Sequence, residues 1–139
     1  MASIDEMADG ERGVIILTAS VAAEDAQIGQ VIYGSAKAGV NGLVLPMARD
    51  LMDVGIRVNA INPGLTRTDR LQEGLVADAR NQGISTEQAM AQAVARIPVG
   101  RMAEPQEIAN AVVFLASAKA SYITGICMSM DGALNPIVV

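Results

Sequence analysis

The sequence predicts an α/β fold: the C-terminal part of a doubly wound parallel sheet, with about three strands and flanking helices. Three observations lead there. Gly13-Val14-Ile15-Ile16-Leu17-Thr18-Ala19-Ser20 is an unbroken apolar run opened by glycine and closed by small polar residues, which suits a strand buried on both faces. From about Ile32 to Asp53, apolar residues return at helical spacing. Ile56-Arg57-Val58-Asn59-Ala60-Ile61-Asn62 is strand-like again and is stopped by Pro63-Gly64. Strand, helix and strand in succession make a βαβ unit, in which the two strands run parallel.

The remaining elements follow in order. Ala36, Val40, Leu43, Met47 and Leu51 form the expected core stripe of the first helix. Ala38 and Gly42 lie opposite, small enough to admit another backbone. Pro46 lies inside this helix and is expected to bend it rather than end it. Gly55 fits the helix C-cap. Leu65 to Gly83 reads as polar and irregular, with a helix from Arg70 to Asn81; Arg67, Asp69 and Arg70 could touch phosphate or substrate but better suit a solvated, mobile lid. Ser85 and Gln88, three apart, form a capping-box pattern that opens a helix to about Arg96. Glu104-Pro105 starts another, with Ile108, Val112 and Leu115 along one side. Gly125-Ile126-Cys127-Met128-Ser129-Met130 is the last strand. No internal repeat or low-complexity tract interrupts residues 1–139, which read as a single, partial domain.

Composition narrows the chemistry. The chain has 139 residues, a net charge of −5 and no basic cluster, which argues against nucleic acid as a partner. No apolar run reaches membrane-spanning length, and the acidic N-terminus has no secretory pattern, so a soluble cytoplasmic protein away from membranes is expected. Histidine is absent, which rules out Ser-His or Cys-His catalysis supplied by this chain and argues against a zinc site. The single cysteine, Cys127, excludes an intrachain disulfide and is read as a buried, inert thiol. The eight dispersed methionines read as core filler. Proton chemistry must run through carboxylates, lysine, tyrosine or hydroxyls. Tyr33, Phe114 and Tyr122 are the only aromatic residues. Tyr122 is expected to pack at a turn, and Asp131 to cap one.

Tyr33-Gly34-Ser35-Ala36-Lys37 places a tyrosine and a lysine one helical turn apart on one face. A free phenol is a poor base near neutrality, and a nearby ammonium favours its ionised form. Ser20 stands at the carboxyl end of the preceding strand, the edge where open α/β sheets bind ligands. A hydroxyl there could bond a substrate carbonyl while the tyrosine transfers its proton. The spacing of tyrosine and lysine is common by itself. Its conjunction with Ser20, with Pro63-Gly64 followed by Thr68, and with Asp131-Gly132 is not.

Together these stretches resemble the short-chain dehydrogenase/reductase family. The resemblance rests on Gly13–Ser20, Tyr33–Val40, the run from Gly55 to Gly64, Pro98-Val99-Gly100-Arg101, Glu104–Ala116 and Ile123–Gly132. It covers nearly all of this chain and the C-terminal half of such an enzyme. It implies a Rossmann-like fold, NAD or NADP as cofactor, and a small-molecule substrate. It also implies Tyr33 as general acid/base, Lys37 as the group that favours the phenolate and bonds the nicotinamide ribose, and Ser20 as the residue that orients the substrate. Pro63, Gly64, Leu65, Thr66 and Thr68 would hold the carboxamide.

Thr18–Ala23, Gln27–Gln30 and Leu45–Leu51 look most like 3-hydroxyacyl-CoA dehydrogenase type 2. The C-terminal part looks equally like 3-oxoacyl-(acyl carrier protein) reductases. Both act at the 3-position of acyl thioesters, as in fatty acid metabolism. Gln30 either lines the substrate pocket or caps the helix start.

The sequence departs from the family in two ways. No G-x-G-x-x-G loop is present, nor the charged residue that selects NAD or NADP. The asparagine that the family uses for a proton relay also has no counterpart; Asn41, Asn59 and Asn62 do not occupy its position. Two readings follow: an oxidoreductase of which this is a piece, or a non-catalytic remnant acting through oligomerisation. Presence of Ser20, Tyr33 and Lys37 together favours descent from the enzyme. Weak or undetectable activity is expected from the chain alone. Val14-Ile15-Ile16-Leu17, without an upstream neighbour, would leave an apolar sheet edge, so a homo-oligomer or a poorly soluble chain is expected.

Overall fold

β2 (Ile56–Pro63) is the central strand, and Arg57 through Asn62 are all buried. The computed structural model describes residues 10–25 and 28–136, so the acidic N-terminal stretch and Gln27 lie outside the described residues. β1 (Gly13–Thr18) and β3 (Cys127–Met130) flank β2 in the order β1-β2-β3, and both pairings are parallel. Register runs from Gly13 opposite Ile56 to Thr18 opposite Ile61, and from Ala60 opposite Cys127 to Pro63 opposite Met130. The fold class read from the sequence is therefore the one observed. Among the described residues β1 pairs on one side only, and Val14–Leu17 stay half-exposed.

Alternation along β2 assigns the helices to opposite faces. Arg57 donates to the carbonyls of Leu115 and Ile123 at 2.8 and 3.2 Å and pairs with Glu11. Asn59 donates to Ile123 O at 2.9 Å. These side chains meet the end of helix α4 (Pro105–Ala116) and the loop that leads into β3. On the other face, Asn62 points to the side covered by α1 (Val31–Leu51).

α1 runs unbroken through Pro46. Its inward stripe differs from the predicted one. Val44 and Ala48 are buried and Val40, Met47 and Leu51 half-buried, whereas Ala36 and Leu43 are exposed. Lys37 and Asn41 share the inner face, and a stripe drawn through apolar residues alone is rotated away from them. The outer face exposes Val31, Ile32 and Leu43; among the described residues outside its own helix, none comes within 4 Å of a Cβ built on Gly42.

The stretch after β2 is more ordered than its polarity suggests. α2 (Asp69–Gln82) and α3 (Thr86–Ala95) form a second core in which Leu75, Ala79, Ala89, Ile97 and Met102 are buried together. Leu71, Leu75 and Ala79 recur every four residues, enough for one apolar stripe on an otherwise polar helix. The Ser85–Gln88 capping box forms as predicted, with bonds of 3.2 and 2.9 Å. No described helix is long and apolar enough to cross a membrane.

Candidate active site

Ser20 follows β1 and caps a single helical turn, Val21–Ala23; its hydroxyl oxygen accepts from Ala22 N–H at 3.2 Å. Its own hydrogen is left to donate. Gln30 occupies the N-cap position of α1 without a capping bond from its side chain. Tyr33 lies in the first turn of α1 and Lys37 in the next. The Lys37 Nζ donates to the carbonyl oxygen of Thr18 at 2.9 Å and lies 5.7 Å from the centroid of the Tyr33 ring. Lysine therefore ties the start of α1 to the carboxyl end of β1, two residues before Ser20. The Tyr33 side chain remains open to an incoming molecule, with 47% of the residue exposed.

Gly34 makes this approach possible. A Cβ at that position would stand 3.0 Å from Ala22 O, against the turn that Ser20 caps. Sequence reading gave this glycine no role, although its place between Tyr33 and Ser35 inside a helix was the available signal. Gln30 lines a hollow of about 490 Å³ together with Ala22, Glu24, Val31, Ser35 and Ala38. That hollow lies on the side of α1 carrying Val31, Ser35 and Ala38, away from the side carrying Lys37.

The loop after β2 is held from several directions. Gly64 N–H donates to Met130 O at 3.0 Å, and Thr66 Oγ1 donates to Gly64 O at 3.3 Å. Ala103 bridges Thr66 in parallel fashion, donating to Leu65 O at 3.0 Å and accepting from Arg67 N–H at 2.8 Å. Thr68 caps α2, its oxygen accepting from Leu71 N–H at 3.2 Å. Arg67 pairs with Glu104 at 3.3 Å and Arg70 with Glu73 at 3.5 Å. Arg67, Asp69 and Arg70 are exposed, as a solvated segment requires, while the backbone at Leu65 and Arg67 is tied to Ala103.

Tyr122 does not pack at a turn: it is fully exposed, at 102%. Asp131 does cap one, accepting from the N–H groups of Ala133 and Asn135 at 3.0 and 2.8 Å.

Glu24 was missed altogether. Its carboxylate receives Asn62 Nδ2 at 2.8 Å and Asn41 Nδ2 at 3.3 Å on one oxygen. The other oxygen receives Ser129 Oγ and Asn135 Nδ2, each at 3.4 Å. Since its partners lie 17 to 111 residues away in sequence, no local pattern announces it.

Fold and edge together define a Rossmann-like parallel sheet that gathers a serine, a tyrosine and a lysine at the carboxyl end of its strands. The family model described as enoyl-(acyl carrier protein) reductase matches residues 1–135. The 3α-hydroxysteroid dehydrogenase of Mediterraneibacter gnavus is 42% identical over 121 residues, which are 87% of this chain and 44% of that protein. The crystal structure of 3-hydroxyacyl-CoA dehydrogenase type-2 from Mycobacterium avium is similar at 43% identity with a TM-score of 0.74, covering 90% of this chain and 43% of that one. L-sorbose reductase from Gluconobacter frateurii, solved with NADPH and L-sorbose, aligns with a TM-score of 0.84 at 30% identity, over 91% of this chain and 49% of its own. This chain belongs to the short-chain dehydrogenase/reductase family. It spans about half the length of the curated relatives it matches.

Proposed function

We propose that this chain is the catalytic half of a nicotinamide-dependent oxidoreductase acting on a 3-hydroxy- or 3-oxoacyl thioester or a similar alcohol or carbonyl. The observation that carries the reading is the Lys37 ammonium, anchored on Thr18 O at 2.9 Å and 5.7 Å from the Tyr33 ring. It puts a cation and a phenol together beside the Ser20 turn.

The groups present suit the ribose and carboxamide end of a nicotinamide nucleotide, NAD or NADP. Lys37 has N–H groups beyond the one given to Thr18, for a ribose hydroxyl. Pro63, Gly64, Leu65 and Thr66 offer a fixed backbone, and the Thr68 hydroxyl, while it accepts from Leu71, keeps its hydrogen to donate. Bound there, the nicotinamide supplies or takes the hydride.

In the reducing direction, Ser20 donates to the substrate carbonyl oxygen and Tyr33 Oη delivers the proton to it. Lys37 supplies positive charge beside the phenolate that remains. In oxidation the same proton returns to Tyr33. The residues that would bind the cofactor's phosphates fall outside residues 1–139, which on this reading form a partial domain. Gln30, lining its hollow beside the Ser20 turn, would touch the substrate beyond the reacting carbon. The apolar outer face of α1 and the edge of β1 that pairs with no described strand support a homo-oligomer.

The test is a spectrophotometric assay with an acetoacetyl thioester and each reduced cofactor. The chain alone should be nearly inactive. Mixed with a separately purified amino-terminal half from a family relative, it should oxidise the cofactor, and Tyr33→Phe should remove that activity. No turnover in the mixture with either cofactor defeats the reading.

A further inference from the structure

The elements that carry the proposed site meet at a carboxylate that takes no part in the proposed proton transfer. Glu24 stands four residues after Ser20, at the end of the turn that Ser20 caps, where its backbone N–H bonds Val21 O at 3.0 Å. Each partner of its carboxylate stands next to something the reaction needs. Asn41 lies one turn after Lys37 on the same helix face. Asn62 immediately precedes Pro63-Gly64. Ser129 and Asn135 bracket Asp131, against which Gly64 packs.

The two amides depend on Glu24 for their orientation. Asn62 is completely buried, and the Oδ1 atoms of both Asn41 and Asn62 are buried without a hydrogen-bond partner among the described residues. Each amide is therefore held by the bond its nitrogen gives to Glu24. Bonds to a carboxylate are stronger than those between neutral groups, and a buried donor deprived of its acceptor is costly. Without the carboxylate, Asn62 would be unsatisfied at both ends of its amide, and β2 would lose its side-chain tie to the Ser20 turn.

Resting on the function proposed above, we propose that Glu24 is a positioning residue. By gathering Asn41, Asn62, Ser129 and Asn135, it fixes the carboxyl ends of the strands so that Ser20, Lys37 and the Pro63-Gly64 loop keep their relative places. It acts through these neighbours and takes no part in the proton transfer.

Hydrogen exchange of the complete chain, read by mass spectrometry, tests this. Glu24→Gln keeps the shape but presents an amino group to donors; Glu24→Ala removes the group, so that one variant remains if the other fails to fold. Amides of Ser20–Ala23 and Gly64–Thr66 should exchange about tenfold faster in the variant, while α2 and α3 keep their wild-type rates. With the amino-terminal half supplied, kcat should fall about tenfold and KM for the cofactor should change less than about threefold. Wild-type exchange at both segments would overturn the proposal, and so would uniform acceleration across the chain, which signals only lost global stability. If wild type shows no hydride transfer while the variant loosens those segments alone, the ordering role stands and the proposed activity fails.

Discussion

Gly64 lies against Asp131 so closely that a Cβ on the glycine would stand 2.7 Å from Asp131 Cβ and 2.8 Å from its Cα. Both atoms belong to or adjoin the backbone of the turn after β3, so no flexible side-chain tip can move aside. Gly64→Ala must push the end of β2 away from that turn. The expected loss is about 1–3 kcal/mol, the usual cost of overpacking a tight contact. Urea denaturation should show a lower midpoint at an unchanged slope. An unaltered midpoint would mean that the two turns slide freely past each other.

Cys127 offers a chemical probe of the same edge. Its thiol is pushed up from the ordinary range by burial first and by the negative charge of Glu24 second. Because the folded value lies above the unfolded one, the thiol's contribution to stability is complete below the unfolded value, near about 8.5, and fades as pH rises past it. Near pH 8 the native chain should react with iodoacetamide several times more slowly than the urea-unfolded chain. Glu24→Gln should narrow that gap. Equal rates in the folded and unfolded states would contradict this environment for the thiol.

Glu107 predicts an acid limb for α4. Its carboxyl is held down to about 2, chiefly by hydrogen bonds from Arg101 and then by the backbone N–H of Glu104. A carboxyl lowered on folding contributes fully above its unfolded value, near about 4.3, and loses that contribution as pH falls toward 2. The pair is exposed, so the effect is modest and weakened by salt. Thermal melts of wild type and Glu107→Gln should differ at pH 6 and converge near pH 2. A gap that persisted at acid pH would assign the stabilisation to something other than this charge.

Much of the fold was legible because its signals are local. One continuous apolar run and two shorter apolar-rich stretches announced three strands, Ser85 and Gln88 announced a helix start, and Gly55 announced a helix end; each rests on neighbours within a few residues. The candidate edge was half legible. Tyr33 and Lys37 share a helix face by spacing alone, and Ser20 ends a strand. The core stripe of α1 was misplaced because its inner face includes Lys37 and Asn41, polar residues whose partners, Thr18 and Glu24, lie 17 to 19 positions away. The tie of Leu65 and Arg67 to Ala103 was not legible, because Ala103 arrives from beyond two helices.

By itself, then, the sequence determined which segments are strands and helices and which side chains are the candidates for moving a proton, since periodicity and side-chain chemistry are carried by residues close together in the chain. Only the tertiary structure decided what holds those side chains in place. The bond from Lys37 to Thr18, the contact of Gly64 with Asp131 and the four donors around Glu24 all join residues brought together by parallel strand pairing. In such a sheet the carboxyl ends of distant strands become neighbours, and no short-range pattern records which of them will meet.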